Sequence, residues 1–322
     1  MASEGSGAHP VRADWRDLLD AERIGLIEQL YIFDLRLQQI YQELDWVVSR
    51  TREPETIRSH WLALLGEKGV GKTTVIQHWI EAIQLPHSRI SEEDQKPYIS
   101  ISLSEATTSK ALLARMLRML GDPSWSRGTT VDMARRLSYL LKINATRLLI
   151  FDNIHYLFGS ATERELYLNV DLIEQLTLPN EISVVFIGQL GMVETALHRN
   201  SPLHRTIEVV HFLRPYQWVR KHPATIREFQ HLLQMIDQKL PLDPSNLDEE
   251  ATAYSIYYAT DGNPGRIFEL ICLAAKKAVR TRADALTRQL LAEAYDELIT
   301  GKKREAQKEQ VNPFSIPGFH EM

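Results

Sequence analysis

Residues Gly66-Glu67-Lys68-Gly69-Val70-Gly71-Lys72-Thr73 fit the pattern G-x-x-x-x-G-K-[ST], and each residue type has a chemical reason to be there. Glycines let the backbone N–H groups curl around phosphate oxygens, where a side chain at Gly69 or Gly71 would crowd them. Lys72 brings a positive charge to the β- and γ-phosphates, and Thr73 offers a hydroxyl to magnesium. Thr74 continues the site into a helix whose N-terminus favours an anion. The predicted ligands are ATP and Mg2+.

A second stretch, Leu148–Phe158, reads LLIFDNIHYLF. An apolar strand ending in Asp152 would set a carboxylate beside the phosphate loop, to hold magnesium through water. The next residue is Asn153, where a water-activating glutamate is expected. An amide can orient water but cannot accept its proton at neutral pH, and losing a general base costs about 10²–10⁴ in rate. ATP binding needs no such base. The residues therefore predict an ATPase that binds well and turns over slowly. Glu105, after the strand YISISLSE, is a substitute carboxylate to test, whereas His155 reads as a helix-start or surface residue. Gln189, ending ISVVFIGQ, holds the place of a polar γ-phosphate sensor. Arg205, in NSPLHRT, precedes the last strand and could act as a finger on the nucleotide of the next subunit. Arg266, in DGNPGRIFEL, starts a helix that can fold over ATP.

These residues need a scaffold, and its pattern is legible. The chain has 322 residues, enough for one large domain or two modest ones. From Arg16 to Ser49 apolar residues (Leu30, Phe33, Leu37, Ile40, Leu44, Val47) recur at three- and four-residue spacing, which reads as one long helix ended by the TREPE break. Short apolar runs then alternate with helices. WLALL, YISISL, RLLIF, ISVVFIG and TIEVVHF are five predicted strands, so an α/β core with a five-stranded parallel sheet flanked by helices is expected. Beyond Arg214 only helical patterns remain. The expected organisation is a disordered leader over 1–15, an N-terminal helical extension over 16–58, and the α/β phosphate-loop core over 59–212. A small all-helical lid follows over 213–300, then a flexible tail over 301–322.

With 44% hydrophobic and 25% charged residues the chain reads as soluble and globular. No apolar run approaches the roughly 18–20 residues that span a membrane. The lone cysteine, Cys272, excludes an internal disulfide and fits a reducing, cytoplasmic setting. A net charge of −5 excludes a purely electrostatic nucleic-acid binder, so any such role must rest on a local patch. One exists: residues 105–150 hold eight Lys/Arg against three acids.

The phosphate loop, the DN at the third strand's end, IGQ, LHR and a helical lid together resemble an AAA+ ATPase. Within that class the chain is similar to TniB/TnsC-type regulators of DNA transposition over roughly Arg23 to Leu298. The likeness runs through GEKGVGKTTVIQHWI, DNIHYLFGSATERELYLNVDLIEQLTLPNEISVVFIG, FQHLLQMIDQKLPLDPSNL and TDGNPGRIFELICLAAKKAV. Asn153, and Thr206 after Arg205 where an aromatic is usual, depart from the pattern. The resemblance implies ATP-dependent assembly as a helical filament or ring on duplex DNA, recruitment of a transposase and a target-selection protein, and dismantling around hydrolysis. It also implies that Lys110, Arg127 and Thr129 track the DNA backbone, reading charge and shape rather than bases. The basic-then-NPF tail could be a short docking motif for a transposase. The rival reading is a protein-directed AAA+ machine, a chaperone or signalling ATPase, that ignores DNA.

Overall fold

A computed structural model describes residues 15–50, 60–83, 96–103, 108–158, 162–189, 191, 202–302, 311–316 and 318–319. The chain divides into two compact units, Leu35–Arg214 and the pair of segments Met1–Asp34 and Pro215–Met322.

In the first unit, β1 (Trp61–Gly66), β2 (Tyr98–Ser102), β3 (Leu148–Asp152), β4 (Ser183–Gly188) and β5 (Val209–Leu213) form one sheet in the order β2-β3-β4-β1-β5. Every pairing is parallel. The three inner strands β1, β3 and β4 are buried along their whole length, whereas the edge strands β2 and β5 mix exposed and buried residues. This is why WLALL, LLIF and SVVFI are unbroken apolar runs: both faces of a parallel sheet are covered. Phe151 stacks on Phe186 with ring centroids 5.6 Å apart, and Trp61 meets Phe186 edge-on at 5.2 Å. Around the strands run α2 (Leu35–Arg50), α3 (Lys72–Ile83), α4 (Ser109–Met119), α5 (Thr130–Ile143), the single turn α6 (His155–Phe158), α7 (Glu163–Thr177) and the short α8 (Pro202–Thr206). Thr108, Thr129 and Thr162 cap α4, α5 and α7 by accepting backbone N–H bonds.

The second unit holds α1 (Asp20–Glu28), α9 (Pro223–Lys239), α10 (Glu250–Thr260), α11 (Pro264–Thr281) and α12 (Arg288–Lys302) around a core that includes Phe229, Ile236, Ile256, Ile267 and Leu291. Among the described residues no helix is long and apolar enough to cross a membrane.

Two expectations change. The pattern from Arg16 to Ser49 is not one helix: α1 stops at Glu28 and α2 begins at Leu35. Ile27 and Ile32 are buried in the helical unit's core, whereas α2 packs on α3 and β1, with Trp79 Nε1 donating to Asp45 at 2.9 Å and Ser183 Oγ donating to the Val47 carbonyl. A continuous three-and-four spacing cannot reveal that its two halves face different cores. The tail also departs from expectation. Residues 311–316 and 318–319 are packed, with Phe314 and Phe319 buried against the helical unit.

Candidate nucleotide site

All five strands run parallel, so their C-terminal ends share one edge, the edge at which open α/β sheets bind ligands. The phosphate loop leaves β1 there. Gly69 and Gly71 take φ of +84° and +92°, the left-handed region that costs a residue with a Cβ but not glycine. Gly66 is needed for another reason. It sits opposite Leu213 in the β1–β5 pairing, and a Cβ there would lie 2.2 Å from the Leu213 carbonyl oxygen. Gly66→Ala must therefore prise β5 from β1, at an expected cost of about 3 kcal/mol in urea denaturation. Gly25→Ala, which meets nothing within 4 Å on α1, should stabilise by about 0.5–1 kcal/mol.

Val70 is buried and anchors the loop, while Glu67, Lys68 and Gly69 are exposed. At the start of α3, Lys72 Nζ lies over the loop and donates to the carbonyls of Gly66 at 3.0 Å and Glu67 at 2.6 Å. Burial lowers its pKa, while Asp152 and Glu67 pull the other way. A half-desolvated ammonium gains more from an anion than a fully hydrated one does. Thr74, next to it, is exposed.

Thr73 Oγ1 donates to Asp152 Oδ2 at 2.7 Å, so the loop's hydroxyl and the buried carboxylate at the end of β3 stand side by side. Both are hard oxygen groups of the kind magnesium takes, and they would hold the ion, Asp152 through water. The residues fit the ion. Among the described residues no cluster of three or more His, Cys, Asp or Glu offers a metal an all-protein cage.

Asn153 has a specific job that its position alone does not disclose. It takes φ of +60°, where asparagine is among the few tolerated residues, and its backbone N–H donates to Asp152 Oδ1 at 2.7 Å. Its Nδ2 donates to the Leu103 carbonyl at 3.2 Å and to Ser102 Oγ at 3.4 Å. The side-chain amide thus staples the end of β2 to the end of β3, while the backbone N–H of the same residue holds the carboxylate of Asp152. A glutamate has no hydrogen to offer that carbonyl.

The remaining sequence-predicted residues fall in different places. Gln189 follows β4, the strand between β1 and β3, and so joins the same edge as the phosphate loop and Asp152. Arg205 is exposed on α8 just ahead of β5, at the opposite edge of the sheet, about 20 Å from the loop along a six-residue strand. Its neighbour Thr206 donates to Glu174 at 2.7 Å. Arg266 belongs to the helical unit, where it pairs with Asp261 at 2.6 Å. Glu105 lies outside the described residues.

His155 opens α6, and burial holds its pKa below the usual imidazole value against the pull of Asp152; its Nδ1 is buried with no hydrogen-bond partner among the described residues. Burial does the same to His211 on β5, with Glu43 opposing and Nε2 without a partner among the described residues. A histidine held neutral in the fold is protonated first in the unfolded chain. Stability should hold above the unfolded pKa, about 6.5, and fall as pH drops below it. A lower urea midpoint at pH 5.5 than at pH 7.5, with a smaller drop in His211→Gln, is the expected result.

Lys110 and Arg127 are both exposed, but they lie toward opposite ends of α4: Lys110 on its first turn, Arg127 in the turn that follows it. Thr129 is committed to capping α5, its hydroxyl accepting from the Asp132 N–H at 3.2 Å. Arg136 is the residue that sequence reasoning passed over. It donates to Asp122 at 2.9 Å and to the carbonyls of Ser124 and Arg127, and so builds the turn that presents Arg127. An arginine and an aspartate flanking a Gly/Pro/Ser turn was the available signal.

Known proteins place this arrangement. The chain is similar to the Aeropyrum pernix ORC2 protein in its ADPNP-ADP complexes (TM-score 0.60, 15% identity, covering 88% of this chain and 72% of that one). It is similar also to Aeropyrum pernix ORC1 in complex with DNA (TM-score 0.60, 19% identity, 85% and 69% covered). Drosophila ORC bound to DNA matches with TM-score 0.56 and 14% identity, over 96% and 73% of the two chains. At these identities the likeness establishes the fold, an AAA+ core of five parallel strands flanked by helices. No curated protein matches the chain. Residues 28–214, more than half of the sequence, match the family described as Bacterial TniB protein, and the chain belongs to that family.

Proposed function

We propose that this chain is a cytoplasmic, ATP-dependent, DNA-binding regulator of transposition. It assembles as an oligomer or filament on duplex target DNA, recruits transposase and a target-selection protein, and uses slow ATP hydrolysis to control disassembly. The observation that carries the reading is the Thr73–Asp152 contact beside an intact phosphate loop, in a chain of the TniB family. Fold neighbours support it: ORC2 has been seen with ADPNP and ADP, and ORC1 and Drosophila ORC with DNA.

In this reading the loop's N–H groups surround the phosphates, and Lys72 exchanges its two carbonyl partners for phosphate oxygens. Thr73 and Asp152 hold magnesium, which neutralises phosphate charge when bound. Gln189 contacts the γ-phosphate from the central strand. Asn153, with its amide engaged by β2, takes no proton from water, so hydrolysis is slow. Arg205 stands too far from its own loop to serve it and completes the site of an adjacent copy; Arg266 closes on the nucleotide from the helical unit.

The test is binding to fluorescent duplex DNA with ATP, ADP, a slowly hydrolysed analogue or no nucleotide. Tight binding with ATP and the analogue only is expected, independent of sequence and steeply weakened by salt. Lys110→Ala and Arg127→Ala should each lower the salt slope by about one without unfolding the chain. Equal DNA binding with and without nucleotide would overturn the proposal.

A further inference from the structure

The packed C-terminal segment is held as a peptide ligand is held. Asn312 Nδ2 donates to the Ala292 carbonyl at 3.0 Å and to Asp296 Oδ1 at 2.9 Å, both on α12, while Asn312 Oδ1 accepts the Phe314 N–H at 3.0 Å. Arg288, the first residue of α12, reads the backbone: it donates to the Phe314 carbonyl at 2.6 Å, the Pro313 carbonyl at 3.0 Å, and the Ile316 carbonyl. Phe314 is buried against Tyr295, and Phe319 is buried against Tyr254 and Tyr258 of α10. One aromatic anchor at each end, with carbonyls read between them, is a recognition pattern rather than a continuation of the helical fold.

None of these contacts uses the eight residues, 303–310, that join α12 to the segment. The gap from the end of α12 back to Asp296 is about 9 Å of helix, against a reach of about 26 Å for eight extended residues. The join therefore contributes mainly effective concentration, on the order of millimolar for a short linker, which adjacent copies in an assembly can match. Exchanging an identical element between copies keeps every contact and costs little.

We propose that α10 and α12 form a peptide-docking groove, filled in the isolated chain by its own residues 311–316 and 318–319. In the assembled state the same segment of a neighbouring copy fills it. This rests on the proposed assembly and adds a second link between subunits.

Two full-length variants test it by complementation. Asn312→Ala with Phe314→Ala keeps the groove and disables the segment; Arg288→Ala keeps the segment and disables the groove. With ATP and DNA present, the mixture is expected to form pairs detected by energy transfer between labels on Cys272-free copies, at least tenfold above either variant alone. A synthetic peptide of residues 311–319 should bind the first variant at least tenfold more tightly than it binds the wild-type chain. Asn312→Ala alone, which leaves Phe314 in place, stands in if the double variant does not fold. No pairing above the single variants, or equal peptide binding to variant and wild type, would overturn the proposal while ATP-dependent DNA binding by the wild type persists. Loss of that binding in the wild type counts against the functional reading instead.

Discussion

Asn153→Glu is expected to raise ATP turnover about ten- to a hundredfold and to lower the stability of the α/β unit by about 2–3 kcal/mol. Both effects come from the same hydrogen bonds. The Asn153 amide points at the Leu103 carbonyl and Ser102, and a carboxylate there would face a carbonyl oxygen with no proton between them. The glutamate must turn away from β2 toward the strand edge that carries Thr73 and Asp152, where it can take a proton from water. Steady-state phosphate release and a urea titration on the same preparation measure the two consequences. Turnover that stays at the wild-type rate in a folded variant would show that another group, with Glu105 the first to examine, already serves as base. Asn153→Gln separates the effects, because it keeps an amide and adds no base: it should lose stability and gain no turnover.

Lys72→Ala should weaken ATP binding about thirtyfold or more, corresponding to at least about 2 kcal/mol, with a smaller loss for ADP. The ammonium already lies over the carbonyls of Gly66 and Glu67, so no rearrangement of α3 is needed for it to reach the phosphates. Its removal leaves the Glu67 carbonyl to water at an exposed turn and takes one donor from the part-buried Gly66 carbonyl, a loss the fold should tolerate. Fluorescent-nucleotide binding and thermal melting together decide the matter: affinity lost with melting unchanged is the expected pair. Unaltered affinity would mean that the loop does not carry the triphosphate. Because DNA binding is proposed to be nucleotide-gated, the same variant should bind DNA no better with ATP than without.

The frame of this site was open to reading from residue types alone, because parallel-sheet strands buried on both faces are bare apolar runs and the phosphate loop has few other physical uses. Five strands and the helices between them lie where the runs and periodicities put them. What could not be read shares one cause: each depends on a partner far away in sequence. Asn153 was legible as a missing base but not as a staple, since its partners are 50 and 51 residues upstream. The NPF segment was legible as a motif but not as a packed one, since Arg288 and Tyr295 lie on a helix that precedes it. Arg205 sits where its place in the chain put it, and the sheet adds that its own phosphate loop is at the other edge.

The helical unit is assembled from the two ends of the chain, with the whole α/β unit inserted between them. Synthesis therefore delivers α1 early and its partner α11 late. Glu28 pairs with Lys276 and the Ile27 carbonyl accepts from Cys272, partners 248 and 245 residues apart, so these contacts close only after that much more of the chain has been made. At about 5–20 residues per second, α1 waits on the order of 12–50 s with Ile27 uncovered, while the α/β unit can complete its sheet. Ribosome-bound chains stopped after Arg214 should thus hold a protease-resistant nucleotide unit behind a cleavable N-terminus. The ability to bind ATP would then appear on the nascent chain before the helical unit exists.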